Sequence, residues 1–293
     1  MIVLRAAGVN CDQETLHAWR LVGLDPQSVH VRRLIERPRE LEQCEILTIP
    51  GGFSYGDDIS AGRLLARQIE RELSGAILAL IERGGLVLGI CNGFQALVKA
   101  GLLPGPLAAV GAGARRAGSR ACEDRTRARR GDAGGPATLE PRNVTITENR
   151  PAGFQDRWVT LLAQDTPCAF VEPGRRYEMP IAHGEGRVRF RDEASERAAN
   201  ELGRCALTYV ASAGAPTDAA RRMDSHSLDE PANPNDSDGD VAGLCDETGR
   251  VLGLMPHPER FVSWTQHPCW TSLPERTEGD GLALFRNAAR RFE

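Results

Sequence analysis

No apolar stretch in this chain approaches the roughly 18–20 residues that a membrane-spanning helix needs. The best candidate, residues 75–90, is broken by Glu82 and Arg83. The first residues, Met1-Ile2-Val3-Leu4-Arg5, lack the basic and long apolar regions of a secretory leader and read as a short strand, so a cytoplasmic location without membrane attachment is expected. Cysteines stand at positions 11, 44, 91, 122, 168, 205, 245 and 269, but none forms a C-x-x-C pair. That excludes a zinc ribbon and a thioredoxin motif. In a reducing compartment most of these cysteines are expected to be small buried hydrophobes. Positive charge is not in excess: 36 basic residues face 40 acidic ones, for a net charge of −4. There is thus no electrostatic case for nucleic acid as the main ligand. Lysine is nearly missing; Lys99 is the only one, a bias that coding composition explains without a mechanism.

What is present is an ordinary globular composition, 41% hydrophobic and 26% charged over 293 residues. That length buries a core without disulfide or metal staples. The N-terminal third alternates strand and helix patterns. Residues 2–4 read as a strand, and 12–22 as a helix with Leu16, Trp19 and Leu21-Val22 at helical spacing before Gly23. A second strand, 45–49, is closed by Pro50-Gly51-Gly52, and 62–83 reads as one long helix. Residues 86–90 form a nearly continuous apolar run, as suits a strand buried on both faces of a parallel sheet. A helix starts at about Gln95 and ends at Gly101. This rhythm predicts an α/β fold, an open, mostly parallel sheet flanked by helices, with ligands beyond the carboxyl ends of its strands.

The chain reads as a single domain, 1–293, with two interruptions. Residues 106–137 are rich in Ala, Gly and Arg; within 111–135 seven arginines face Glu123, Asp124 and Asp132, a local net of +4. This stretch is expected to be a solvated insertion, without the interleaved aromatics of an RNA-binding arm. Residues 211–240 are polar and read as a long loop. A last strand over 249–255 leads into Pro256-His257-Pro258-Glu259-Arg260, and a closing helix covers 281–292.

The pattern richest in chemistry is Gly89-Ile90-Cys91-Asn92-Gly93 at a strand-to-helix junction. It has the form of a nucleophile elbow with Cys in place of Ser. The helix behind Cys91 would stabilise a thiolate and aim free N–H groups at an oxyanion. The same five residues also fit a buried cysteine between turn glycines. A cysteine nucleophile needs an oriented base. His257 follows an apolar strand, and Pro258 favours extended geometry there, which would point Glu259 the same way as His257. The alternative for His257 is a loop histidine held between two prolines. His183 and Glu185 repeat the H-x-E spacing and form a rival pair. A zinc-deaminase reading of them fails, because neither Pro167-Cys168 nor Pro268-Cys269 is followed by a second cysteine at the required spacing; no metal is expected. His17 falls on a helix, and His226 and His267 read as surface loop histidines. The loop Pro50-Gly51-Gly52-Phe53-Ser54-Tyr55-Gly56-Asp57 lacks G-K-[ST] and G-x-G-x-x-G, which argues against a phosphate cradle. Its Gly52 or Phe53 amide, with the amide of Asn92, would supply an oxyanion hole.

Taken together, residues 50–57, Gly89-Ile-Cys-Asn-Gly-Phe-Gln95, Ala182-His-Gly-Glu-Gly186 and Met255-Pro-His-Pro-Glu-Arg260 resemble the class I (triad) glutamine amidotransferases. More narrowly, they are similar to the glutaminase subunits of phosphoribosylformylglycinamidine synthase, a purine-biosynthesis family. Asn10-Cys11-Asp12, residues 101–105, Arg157-Trp158-Val159 and Asn233-Pro234-Asn235 fit as well. The resemblance implies flavodoxin-like layering, Cys91 as nucleophile, His257 as base and Glu259 as its orienter. It implies glutamine or oxyanion contacts at Gly52, Phe53, Asn92 and Gln95, with His183 and Glu185 at the site or an interface. It further implies L-glutamine as substrate, no cofactor in this chain, and ammonia passed to a synthetase subunit that uses ATP and Mg. A small third subunit bridges the two in bacterial members. The sequence departs from the family at Ala7-Gly8, where Pro-Gly is usual, and in the arginine-rich stretch after Gly105. The alternatives are another triad amidotransferase or a catalytically silent interaction module of the same fold.

Overall fold

Leu86–Ile90 is buried at every residue, as its uninterrupted apolar sequence requires, and lies near the middle of a nine-stranded sheet. The structure is a computed structural model and describes residues 1–57, 60–105, 143–212 and 232–293. In chain order the elements are β1 (Ile2–Arg5), α1 (Asp12–Leu21), β2 (Gln27–His30), α2 (Val31–Glu36), β3 (Ile46–Ile49), α3 (Arg63–Gln68), α4 (Ser74–Glu82), β4 (Leu86–Ile90) and α5 (Asn92–Lys99). Then follow β5 (Val144–Glu148), β6 (Gln155–Ala163), β7 (Arg176–His183), β8 (Glu185–Phe190), α6 (Glu193–Glu201), β9 (Cys205–Val210), β10 (Val241–Cys245), β11 (Val251–Leu254) and α7 (Leu282–Ala289).

The strand order is β2-β1-β3-β4-β11-β10-β9-β6-β7, and β5 pairs with β8 in a separate ribbon. Strands β2, β1, β3, β4 and β11 run parallel. From β11 outward the pairing through β10, β9, β6 and β7 is antiparallel. The parallel, helix-flanked half is the one the sequence patterning predicts; the antiparallel wing extends it. Along β7 burial alternates residue by residue, the mark of a strand with one face on the core.

Other local expectations need adjustment. The helix over 62–83 is interrupted by a π-helical turn, Ile69–Leu73, between α3 and α4. The elbow helix begins at Asn92 rather than Gln95. Within 211–240, residues 213–231 lie outside the described residues, but 232–240 is a tightly bonded turn rather than a plain loop. There Asn235 is fully buried, and Ser237 Oγ accepts from Val188 N–H at 3.0 Å. The arginine-rich stretch from 106 to 137 also falls outside the described residues.

Candidate active site

Two neighbouring parallel strands deliver the key side chains to one edge of the sheet. Leu254 of β11 is in register with Ile90 of β4, and the Cys91 N–H continues the ladder to the Leu254 carbonyl at 2.8 Å. Cys91 therefore stands one residue beyond β4, and His257 three beyond β11. At Cys91 the chain turns sharply, with φ 49° and ψ −106°, before α5 starts at Asn92. A non-glycine residue in this region stores strain. Gly93 permits the turn, because a Cβ there would run into the Ile49 carbonyl of β3.

His257 and Glu259 are both buried, and Nδ1 of His257 donates to Glu259 Oε1 at 2.6 Å. Their spacing brings them together for a different reason from the expected extended chain: Pro258–Arg260 is a turn of 3-10 helix, with Pro258 opening it. The other ring nitrogen, Nε2, is buried and completes no directed hydrogen bond among the described residues. The thiols of Cys91 and Cys11 neighbour the ring and act on its charge. Gly51 marks how tightly this centre is packed. A Cβ there would lie 2.8 Å from His257 Cε1, 3.2 Å from Cys11 Sγ and 3.4 Å from Cys91 Cβ. Burial opposes charge on the imidazole, but the Glu259 carboxylate and then Cys91 outweigh it and hold the His257 pKa well above its ordinary value.

The rival histidine is nearby but differently employed. His183 Nδ1 lies 3.0 Å from Asn149 Oδ1, while Asn149 Nδ2 donates to the His183 carbonyl at 2.7 Å. The Gly186 N–H donates to the same Asn149 Oδ1 at 3.0 Å. A Cβ on Gly186 would overlap the His183 ring, which accounts for glycine three residues after this histidine. Burial, and then the charge on His257, push the His183 pKa down to about 3, so this imidazole stays neutral. Glu185 does not orient it; its carboxylate accepts from the Ala61 N–H and pairs with Lys99.

In the glycine loop, the Phe53 N–H is committed to the Gly8 carbonyl at 2.9 Å, and the Phe53 ring is exposed. Phe53 therefore cannot supply the oxyanion donor expected of it by its main chain. Gly52 N–H has no acceptor among the described residues, and the Asn92 amide opens α5, where helix N–H groups have no intrahelical acceptor. Asn92 Nδ2 donates to Gln95 Oε1 at 3.0 Å and Asp57 Oδ1 at 3.1 Å.

Sequence reasoning missed Cys11 as a neighbour of the site. It caps α1, is buried, and its sulfur accepts from Arg260 Nη2 at 3.1 Å. Cys11, His257 and Glu259 offer donor atoms within 4.8 Å of one another. Two of them are already engaged with each other, and the Arg260 cation sits on the third, so this set fits a hydrogen-bonded centre better than a metal site. His267 also departs from expectation. It is buried, stacks on Trp264 at 5.4 Å, and pairs with Glu178 at 3.3 Å. His17 is exposed and His226 lies outside the described residues.

A cysteine on a strained elbow and an imidazole fixed by a buried carboxylate are the arrangement expected of a cysteine-triad amidotransferase. The chain belongs to the CobB/CobQ-like glutamine amidotransferase domain family, which it matches over residues 1–292. Within that family its relatives are specific. It is 37% identical over 290 residues to the phosphoribosylformylglycinamidine synthase subunit PurQ of Dehalococcoides mccartyi, covering 99% of this chain and 96% of that one. It is 32% identical over 302 residues to the PurQ subunit of Methanococcus maripaludis, covering 100% and 97%. Among solved structures it superposes on a chain of PurLQS from Thermotoga maritima with a TM-score of 0.60 and 27% identity, covering 100% of this chain and 98% of that one. Among the described residues no helix is long and apolar enough to cross a membrane.

Proposed function

We propose that this chain is the glutaminase subunit of phosphoribosylformylglycinamidine synthase, built as one amidotransferase domain over 1–293. The full-length likeness to PurQ subunits supports this reading. The observation that carries the chemistry is the buried 2.6 Å His257–Glu259 pair beside the elbow cysteine. Cys91 Sγ attacks the side-chain amide carbon of L-glutamine, with the developing oxyanion received by the Gly52 and Asn92 amides. His257 carries the proton taken from the thiol and gives it to the departing nitrogen, so that ammonia leaves and a γ-glutamyl thioester remains. His257 then takes a proton from water, which attacks the thioester; glutamate leaves and the thiol is restored. Glu259 fixes the tautomer and stabilises the imidazolium. The buried side chains of Asn92 and Gln95, bonded to each other, support the start of the helix behind Cys91.

Ammonia passes to a synthetase subunit that converts formylglycinamide ribonucleotide to the amidine. The solved PurLQS complex of a relative supports such an assembly. We read the ATP and Mg as the synthetase's, the third small subunit as a bridge, and the location as cytoplasmic. Replacing Cys91 by Ala in the complex is expected to abolish glutamine-driven synthesis while ammonia-driven synthesis continues. Glutamine hydrolysis surviving that change would overturn the mechanism. Failure of the unmodified chain to hydrolyse glutamine with its synthetase would favour the silent-module alternative.

A further inference from the structure

Helix α5 carries a row of polar side chains that the thiol chemistry does not use. Asn92, Gln95 and Lys99 stand at i, i+3 and i+7, on one helix face. Each of them bonds to the loop that follows β3 or to β8. Asn92 Oδ1 accepts from the Ser54 N–H at 3.2 Å, and its Nδ2 bonds Asp57, whose carboxylate also accepts from the Gly62 N–H at 3.1 Å. Gln95 Nε2 donates to the Glu185 carbonyl. Lys99 Nζ donates to Ser60 Oγ at 2.6 Å, to the Ala61 carbonyl and to the Glu185 carboxylate at 3.4 Å. That carboxylate accepts in turn from the Ala61 N–H at 3.2 and 3.3 Å. Helix, loop and strand are thus closed into one polar ring.

The loop needs this ring. Its first half is tied to the 7–8 turn through the Phe53 and Tyr55 amides. Its Tyr55, Gly56 and Asp57 then turn at positive φ; the Tyr55 hydroxyl reaches Gln68 of α3 at 2.8 Å, while Asp57, Ser60 and Ala61 are held to α5 and β8 through the ring. Lys99 suits the junction chemically. Every one of the other 35 basic residues is arginine. Here three acceptors surround one point, which a compact ammonium with three fanned donors satisfies and a flat guanidinium fork does not. The lysine and Glu185 side chains keep only 14% and 25% of their surface exposed, so each is costly to leave unpaired.

We infer that Lys99 is a positioning residue for glutamine hydrolysis: with Glu185 it fastens residues 60–62 to the nucleophile helix and, through the bonds of Gly62 and Asn92 to Asp57, fixes the Asp57 end of the loop that receives glutamine. This rests on the glutaminase reading above. Losing the ammonium frees the loop that receives glutamine while leaving the Cys91–His257–Glu259 centre in place.

The test uses the complex with its synthetase and measures KM and kcat for glutamine, ammonia-driven synthesis and thermal midpoint. K99M is expected to raise the glutamine KM about tenfold and to change kcat less than about threefold, the scale of losing one charge-assisted contact. Ammonia-driven synthesis stays at the parental rate. K99R recovers only part of the loss, and K99M with E185Q together costs less than the product of the two single effects. Should K99M fail to fold, E185Q, which keeps the shape of the side chain, carries the same expected rise in KM. A folded K99M with the parental KM, or one whose ammonia-driven rate falls in parallel, overturns the inference. Absence of glutaminase activity in the unmodified complex would instead overturn the underlying reading, and is seen before any substitution is made.

Discussion

Glu259 presents one carboxylate oxygen to His257 and keeps the other buried without a partner among the described residues, so the charge of this group is directed at a single imidazole. The consequence is readable in pH dependence. With the carboxylate in place, His257 stays protonated well above its ordinary range. Glu259→Gln removes the largest influence favouring that charge, so the alkaline limb of kcat/KM for glutamine is expected to move toward lower pH. Activity should fall about a hundredfold or more, as when the orienting acid of a triad is replaced. A pH–rate profile of the variant checks both. His183 gives a prediction of opposite sign. Its folded pKa of about 3 lies below the ordinary 6.5, so the unfolded chain binds more protons between these values. Its contribution to stability is present above pH 6.5 and lost as pH falls through the window, at up to about 1.4 kcal/mol per pH unit. His257 acts the other way, its contribution being present at low pH and lost as pH rises through its raised folded value. His183→Gln should therefore flatten the acid fall in unfolding free energy measured by denaturant titration between pH 7 and 4.

At the scale of elements, α1 is locked to the sheet by one buried polar contact, Trp19 Nε1 donating to Thr48 Oγ1 of β3 at 3.0 Å, with the Trp19 ring set edge-on to Phe285 of α7. Thr48→Val keeps the shape and strands the indole N–H. It is expected to cost about 1–3 kcal/mol in chemical denaturation, with glutamine hydrolysis retained. The elements most legible in the sequence are those whose burial leaves a plain pattern. Leu86–Ile90 is apolar throughout because both faces are covered, and Asp12–Leu21 shows its apolar face at helical spacing. Strands β6 and β7 gave no such signal. Their exposed positions carry Asp156 and Arg176, Glu178 is half-buried, and Pro180 interrupts the run. The π-turn at 69–73 has no marker in a sequence that reads smoothly as helix.

At the scale of the molecule, the proposed nucleophile, base and orienter stand out in the sequence because each follows a strand end, Cys91 after β4 and His257 and Glu259 after β11. The rest of the centre does not. Cys11 lies eighty residues from Cys91, and only the pairing of the Val9–Cys11 segment with the glycine loop brings it to the imidazole. The role of Glu185 was likewise hidden, since its partners Ala61 and Lys99 are distant in the chain.

The register of Leu254 with Ile90 has a bearing on how such a chain tolerates change. A one-step slip of either strand would turn its residues over and carry thiol and imidazole to opposite sides of the sheet. Added sequence is harmless to their meeting so long as it enters elsewhere. The arginine-rich stretch and the polar stretch named above do so: in chain order one follows the elbow helix, and the other falls between β9 and β10. The proposed reacting pair is thus insulated from changes in chain length at those places, and variants that lengthen or shorten them are expected to keep glutamine hydrolysis.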